Sequence, residues 1–278
     1  MLTIPVRQLL DSDRAAVERV LAAHPIASAQ VSERIGAHGL GWRAEGRLFG
    51  YGGHRQTDAL LWCGGQVTPI GADRLAVAAF ADMLSGWPRV CASLVGPADG
   101  VLSLWEKLRP SWGPDRTVRD DQPLMLLDRV AATPADPLVR PIRPDEVDLL
   151  FPASVAMYTE EVGVSPLIGD GGRDYKQRVT DLVRSRRAYA KFVGGRVVFK
   201  AELAVVTRHT VQLQGVWTHP HLRGQGIAAG GLATVVREAL RRFAPTVSLY
   251  VNGYNEPARR LYDRLGFRRV GTFATVLF

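Results

Sequence analysis

At 278 residues, 46% of them hydrophobic and with a net charge of +8, the chain is long enough for two ordinary domains that each bury a core. No apolar run approaches the ~20 residues that span a bilayer, and the opening MLTIPVRQLLDSDR lacks the basic and long apolar stretches of a signal peptide, so a cytoplasmic chain with no membrane partner is expected. Cys63 and Cys91 show no Cys/His ligand spacing and the six histidines are scattered, which argues for reduced structural thiols and against a metal centre.

The first half predicts a strand from Thr3 to Leu9, then a helix capped by Asp11 or Asp13 and running to about Ala23. Arg47 to Tyr51 and Ala59 to Cys63 read as paired strands. A strand near Gln66, helix Asp73 to Ser85, strand Val90 to Val95, helix Gly100 to Leu108 and strand Pro123 to Asp128 follow. Counted without the strand near Gln66, the order is β-α-β-β-α-β-α-β. Prolines and small residues make Ala131 to Pro137, AATPADP, a short stiff linker.

The second half repeats that order, which implies an internal duplication. It runs from a strand at Val139 to Arg143 through helical segments opening at Asp145 and Asp174, the first interrupted at Pro152. Loop Gly163 to Gly172 is flexible enough for a lid. Arg184 to Arg187 form a solvated helix end before a hairpin about Gly194 and Gly195. Strand Arg196 to Val206 is apolar on both faces, as in a covered central strand, and its Lys200 and Glu202 share a face on which they can pair. Strand Val211 to Thr218, a Pro and Gly loop, a glycine-opened helix to about Phe243, strand Val247 to Val251, a helix and a closing strand complete the chain.

Within that loop Arg223, Gly224, Gln225, Gly226, Ile227 and Ala228 spell R-x-x-G-x-A. Small residues there let an anion approach backbone N–H groups that have no intrahelical partner, with a guanidinium alongside. Downstream, Asn255, Pro257, Ala258, Leu261, Tyr262, Leu265, Gly266 and Phe267 spell N-x-P-A-x-x-L-Y-x-x-L-G-F. Together the two motifs resemble the GNAT superfamily of acyl-CoA-dependent N-acetyltransferases over about Val139 to Phe278. The resemblance implies an α/β fold of the α+β kind: two tandem GNAT-like domains, each a mixed, mostly antiparallel central sheet flanked by helices. Residues 1–132 would be a degenerate copy, since Val67, Thr68, Pro69, Ile70 and Gly71 stand where the cradle belongs; residues 138–278 would bind acetyl-CoA. Charge agrees with a polyphosphate ligand there. Residues 1–133 carry 14 basic and 14 acidic side chains, so the whole excess lies in the second half.

The resemblance also implies site roles. The pyrophosphate of acetyl-CoA would meet Arg223, Gly224, Gln225, Gly226, Ile227, Ala228 and Ala229, and the pantetheine arm would lie along Val216, Trp217 and Thr218, one of whose N–H groups is the expected oxyanion donor. Tyr262 would protonate the departing thiolate, and Asn255 would cap its helix and touch the pantetheine. Gln212 aligns with a glutamate that some members use as base, and with Gln214 it can only orient water or substrate. Glu202 is the nearest carboxylate candidate for the base, through water, or a structural partner of Lys200. Glu160 and Glu161 either receive a cationic amine or end a solvated helix. The expected reaction is direct acetyl transfer to a primary amine of a small molecule or peptide, by a monomer or homodimer. In organisation the chain also resembles mycothiol synthases, which offers the amine of a cysteine-containing pseudodisaccharide as one acceptor class. An acyl-CoA sensor or interaction module with little turnover is the alternative, and nucleic acid is not an expected partner.

Overall fold

The computed structural model describes residues 6–40, 45–53 and 56–278. In chain order the first half forms β1 (Arg7–Gln8), α1 (Arg14–Ala23), α2 (Ala29–His38), β2 (Arg47–Tyr51), β3 (Ala59–Cys63), β4 (Gln66–Ile70), α3 (Arg74–Ser85), β5 (Ser93–Pro97), α4 (Ala98–Trp112) and β6 (Thr117–Leu127). The second forms β7 (Arg140–Pro141), α5 (Val147–Val162), α6 (Arg173–Arg184), β8 (Ala188–Val193), β9 (Arg196–Val206), β10 (Val211–Thr218), α7 (Ile227–Arg242), β11 (Val247–Tyr250), α8 (Glu256–Leu265) and β12 (Arg268–Leu277). Each half therefore reads β-α-α-β-β-β-α-β-α-β. In each, the third strand of the meander is joined through a helix to a parallel neighbour, β4 to β5 and β10 to β11.

The chain forms two compact units that do not follow a single cut. One comprises Met1–Met125, Tyr250–Asn255 and Arg269–Phe278; the other Leu126–Leu249 and Glu256–Arg268. In the first unit the strand order is β1-β2-β3-β4-β5-β12-β6, so the closing strand of the chain pairs antiparallel with β5, Phe273 opposite Pro97 through Leu277 opposite Ser93. A cut at residues 132–138 thus leaves Tyr250–Asn255 and Arg269–Phe278 of the second half counted with the first unit. The second unit orders its strands β11-β10-β9-β8-β7, antiparallel except for the β10 and β11 pair.

In the first unit Phe80, Leu94, Leu104, Trp105 and Val276 share a core between α3, α4 and the sheet. Leu9, Val17, Ile35, Leu48 and Trp62 form another under α1 and α2. Sequence reading places no element at α2, omits β4 from its strand count and starts β6 at Pro123. It also places β5 from Val90, which is exposed. The predicted strand at Thr3 lies partly outside the described residues.

In the second unit Leu150, Ala153 and Met157 put one face of α5 on β9, β10 and α6. Pro152 does not interrupt this helix. It points to solvent, where the carbonyl that its missing N–H would have bonded can be hydrated. The linker is not a free spacer but is bound along α7: Asp136 N–H donates to the Gly230 carbonyl (3.1 Å), the Thr234 hydroxyl to the Asp136 carbonyl (2.8 Å), Arg237 to the Thr133 carbonyl (2.6 Å), and Lys191 pairs with the Asp136 carboxylate (2.8 Å). Arg184 to Arg187 lie at the end of α6 as expected.

Glu146, just before α5, is buried and accepts hydrogen bonds from Arg140 (2.7 and 2.8 Å) and from Arg143 N–H (2.9 Å). The Arg140 hydrogen bonds hold its carboxyl at about 2, well below the ordinary range. A depressed carboxyl stabilises the fold above its unfolded value and loses that contribution as pH falls through the folded one. Glu146→Gln is therefore expected to lower stability by at most about 2 kcal/mol at neutral pH, less in high salt because the arginines reach solvent, and by little near pH 2. Denaturant titrations across that pH window check it.

Candidate active site

The geometry of the second unit turns on a defect in β10. Its antiparallel register with β9 slips between Gln214 and Trp217, where Gly215 adopts φ +57° and one extra residue enters the strand. A Cβ on Gly215 would come within 2.9 Å of both Lys200 Nζ and the Glu202 carboxyl, so only glycine fits. On its other edge β10 pairs with β11 only at Val211 opposite Val247 and Gln212 opposite Ser248. Val216, Trp217 and Thr218 lie beyond the last β11 partner.

Chain direction then carries the strand into α7. Gly224 and Gly226 take φ +79° and +80°, a region that L side chains enter only at a cost of about 1–2 kcal/mol. A Cβ on either would meet nothing within 4 Å, so the space above this helix start is open. No side chain caps it, and the first N–H groups point outward. Small residues set its distance from the sheet as well. Gly231 lies against the Phe199 ring, where a Cβ would come within 2.5 Å. The equivalent helix start in the first half is different: Asp73 caps α3 and its carboxylate accepts from Ala76 N–H (2.8 Å), so that N-terminus already holds a negative charge.

Arg223 reaches back across the loop, donating through Nε to the Thr218 carbonyl (3.0 Å) and through Nη2 to Glu160 Oε2 (2.6 Å). Glu160 Oε1 also accepts from Trp217 Nε1 (3.3 Å). Glu160 is thus tied to the cradle and not held free for an amine. Burial pushes the Tyr262 hydroxyl upward in pKa and Glu161, which follows Glu160, adds to it; at Tyr175 burial leads and Glu202 follows, with Glu161 a lesser contributor. Tyr262 is buried on α8, its ring edge-on to Phe267 at 5.8 Å. Asn255 directly precedes α8, with its N–H on the Asn252 carbonyl (2.8 Å), and is counted with the first unit. Gln225 is exposed, and Ile227, Ala228 and Ala229 form the half-buried first turn of α7.

Lys200 and Glu202 do pair, at 2.7 Å with each residue 1% exposed, and they are not alone. Lys200 Nζ also donates to the Gly215 carbonyl (3.0 Å), and Arg178 from α6 donates to the second Glu202 oxygen (3.0 Å). Burial would push the Glu202 carboxyl up, but Lys200 and Arg178 outweigh it and hold it below the ordinary range. A carboxylate so held is a poor proton acceptor, which corrects the expectation of a base here. Gln212 is buried and accepts from the Gln214 amide at 3.3 Å. Sequence reading missed Arg178 and Tyr175, which sit one turn apart on α6; Tyr175 donates to the Ser154 carbonyl (3.0 Å) and packs on Tyr158. Their spacing was visible, their partners were not.

An open, glycine-lined helix start after a bulged strand that parts from its parallel neighbour defines an acyltransferase fold of the GNAT kind. Residues 170–267 match the model of the Acetyltransferase (GNAT) family, and the second half of the chain therefore carries a domain of that family. Residues 46–150 match a model described as a domain of unknown function, DUF4081. A mycothiol acetyltransferase from Brachybacterium faecium is 36% identical over 77 residues, 28% of this chain; the match spans only 23% of that relative's length. Among solved structures, a GNAT-family acetyltransferase from Colwellia psychrerythraea covers 99% of both chains with a TM-score of 0.57 at 12% identity. A GCN5-related N-acetyltransferase from Sphaerobacter thermophilus gives 0.61 at 17% identity over 98% of this chain and 94% of its own. A tandem GNAT protein from the clavulanic acid biosynthesis pathway gives 0.53 at 14%, covering 98% and 97%. These identities speak to fold alone. No helix among the described residues is long and apolar enough to cross a membrane.

Proposed function

We propose that the second unit transfers an acetyl group from acetyl-CoA to a primary amine by direct attack. The observation that carries this reading is the uncapped start of α7, opened by Gly224 and Gly226 and flanked by Arg223. Backbone N–H groups and the positive end of the helix suit a pyrophosphate, and Arg223 can turn from Glu160 to it. The pantetheine then follows β10 past its last β11 partner, along Val216, Trp217 and Thr218. In the transfer the amine nitrogen attacks the thioester carbon, a C–N bond forms, the C–S bond breaks and the amine gives up a proton. An N–H of β10 meets the oxyanion, and Tyr262 faces the departing thiolate. Both cysteines lie in the first half, so no acyl-cysteine is part of this route. Gln212, Gln214 and Glu161 remain for the acceptor, and the base is water or Glu161 rather than Glu202.

Of acceptors, the amine of a cysteine-containing pseudodisaccharide is the first to screen. The ion-paired Glu202 and the amides at Gln212 and Gln214 favour a second reading, an acetyl-CoA sensor with little turnover. Calorimetric titration of acetyl-CoA tests the shared step. Gly226→Trp brings about 1–2 kcal/mol of backbone strain and fills the cradle, and Arg223→Ala removes a charged donor worth about 1.5–3 kcal/mol while leaving Glu160 facing the phosphates. Each variant is expected to bind at least about tenfold more weakly than the parent. A parent that binds no acyl-CoA, or variants that bind as tightly, would overturn the reading.

A further inference from the structure

Lys200 and Glu202 form a buried ion pair beside one backbone oxygen, the Gly215 carbonyl. Lys200 contacts Glu202 and the Gly215 carbonyl, and Arg178 holds the other Glu202 oxygen from α6. Gly215 is the residue whose left-handed φ breaks the β9 register, and its missing Cβ is what admits Lys200 Nζ to that carbonyl. Stability is a weak account of the arrangement, because buried ion pairs replaced together by apolar side chains commonly cost a fold little. Bulges re-aim backbone groups. His219 N–H donates to the Val198 carbonyl and Trp217 lies opposite Lys200 in the same ladder, so Trp217 N–H faces β9 and Val216, directly after Gly215, turns its N–H to the edge that β11 leaves open.

We propose that Lys200, Glu202 and Arg178 are positioning residues that clamp the Gly215 bulge and so aim the Val216 N–H group at the thioester carbonyl. The inference rests on the acetyl-CoA reading above. The clamp acts on the carbonyl end of the donor, whereas the α7 cradle acts on its phosphates, so the two separate in experiment. A donor N–H that is fixed before substrate arrives costs no reorganisation when the oxyanion forms. One that wanders with an unclamped bulge gives up that advantage.

Infrared spectroscopy of bound [1-13C]acetyl-CoA reads the clamp without any acceptor. In the parent the thioester carbonyl band is expected below that of free acetyl-CoA, because an aimed N–H polarises the bond. In Lys200→Met/Glu202→Leu, which removes both buried charges, calorimetry is expected to give an affinity within about twofold of the parent, since neither side chain touches Arg223 or the first turn of α7, while the band returns toward its free position. Should that variant fail to fold, Arg178→Gln decides: its half-exposed side chain is expendable to the core, and the band is expected to move the same way by a smaller amount. A parent with a displaced band and folded variants whose band stays with it would overturn the clamp alone. A parent without acetyl-CoA binding sinks the clamp together with the donor reading.

Discussion

Lys200→Met is expected to lower the unfolding free energy by about 3–5 kcal/mol, the cost of stranding one member of a buried ion pair. Glu202 would keep only Arg178, which approaches from a half-exposed position on one oxygen. Adding Glu202→Leu is expected to restore all but about 1–2 kcal/mol, because no buried charge then lacks a partner and only the Gly215 carbonyl does. The pH dependence has a defined sign. In the parent Glu202 is held below the ordinary carboxylate range, so its contribution is present above that range and lost as acid drives pH through the folded value. In Lys200→Met the carboxyl rises with its chief cation gone, so protonation relieves the strain and the gap to the parent narrows in acid. Urea unfolding of the three proteins at neutral and acid pH measures this; a single variant within about 1 kcal/mol of the parent at neutral pH would mean that the triad is solvated in solution.

How much of this was legible in the sequence depended on how far apart the partners lie. The glycine turn before α7, the placing of Tyr262 on a helix and the extent of β9 and β10 were readable, because local spacing decides them: period two for the strands, glycine where the loop turns left-handed. The Lys200 and Glu202 pair was readable for the same reason, being two residues apart on one strand face. Arg178 sits 24 residues from Glu202 and Glu160 sits 63 from Arg223, so no local pattern could separate a clamp or a tether from a solvated helix end. The polar start of β6 hid itself likewise. Asp121 binds Arg269 and Gln122 binds Thr275 and Asn252, so residues that look like loop are satisfied by segments far along the chain. Helix α2 follows Pro25 and opens on Ser28, whose hydroxyl donates to the Leu21 carbonyl; the local signal there is a break, and burial of Val31 and Ile35 overrides it. Resemblance located the second half's closing strand at the end of its own domain. Its pairing with β5 follows from the fold, not from any residue within it.

Tyr262→Phe is expected to slow acetyl transfer by about 10²-fold while leaving acetyl-CoA affinity within about twofold. Burial, with Glu161 behind it, pushes the Tyr262 hydroxyl upward, so at neutral and mildly alkaline pH it stays protonated and able to donate. A departing thiol has a pKa of about 8.5 in water, below that of a tyrosine at about 10, so full proton transfer would run uphill if only the tyrosine were perturbed. Burial acts on both groups, because a thiolate released beside α8 is desolvated too and becomes the stronger base for it. The hydroxyl therefore needs only to follow the sulfur as charge develops, which places the loss at the lower end of what general acids contribute. The measurement is thiol release on the acceptor that the amine screen identifies, followed across pH. For the parent, no decline assignable to Tyr262 is expected on the alkaline side until well beyond the ordinary tyrosine range. A Tyr262→Phe enzyme as fast as the parent at every pH would return this tyrosine to the role its burial against Phe267 already gives it, a core side chain, and would leave solvent to protonate the thiolate.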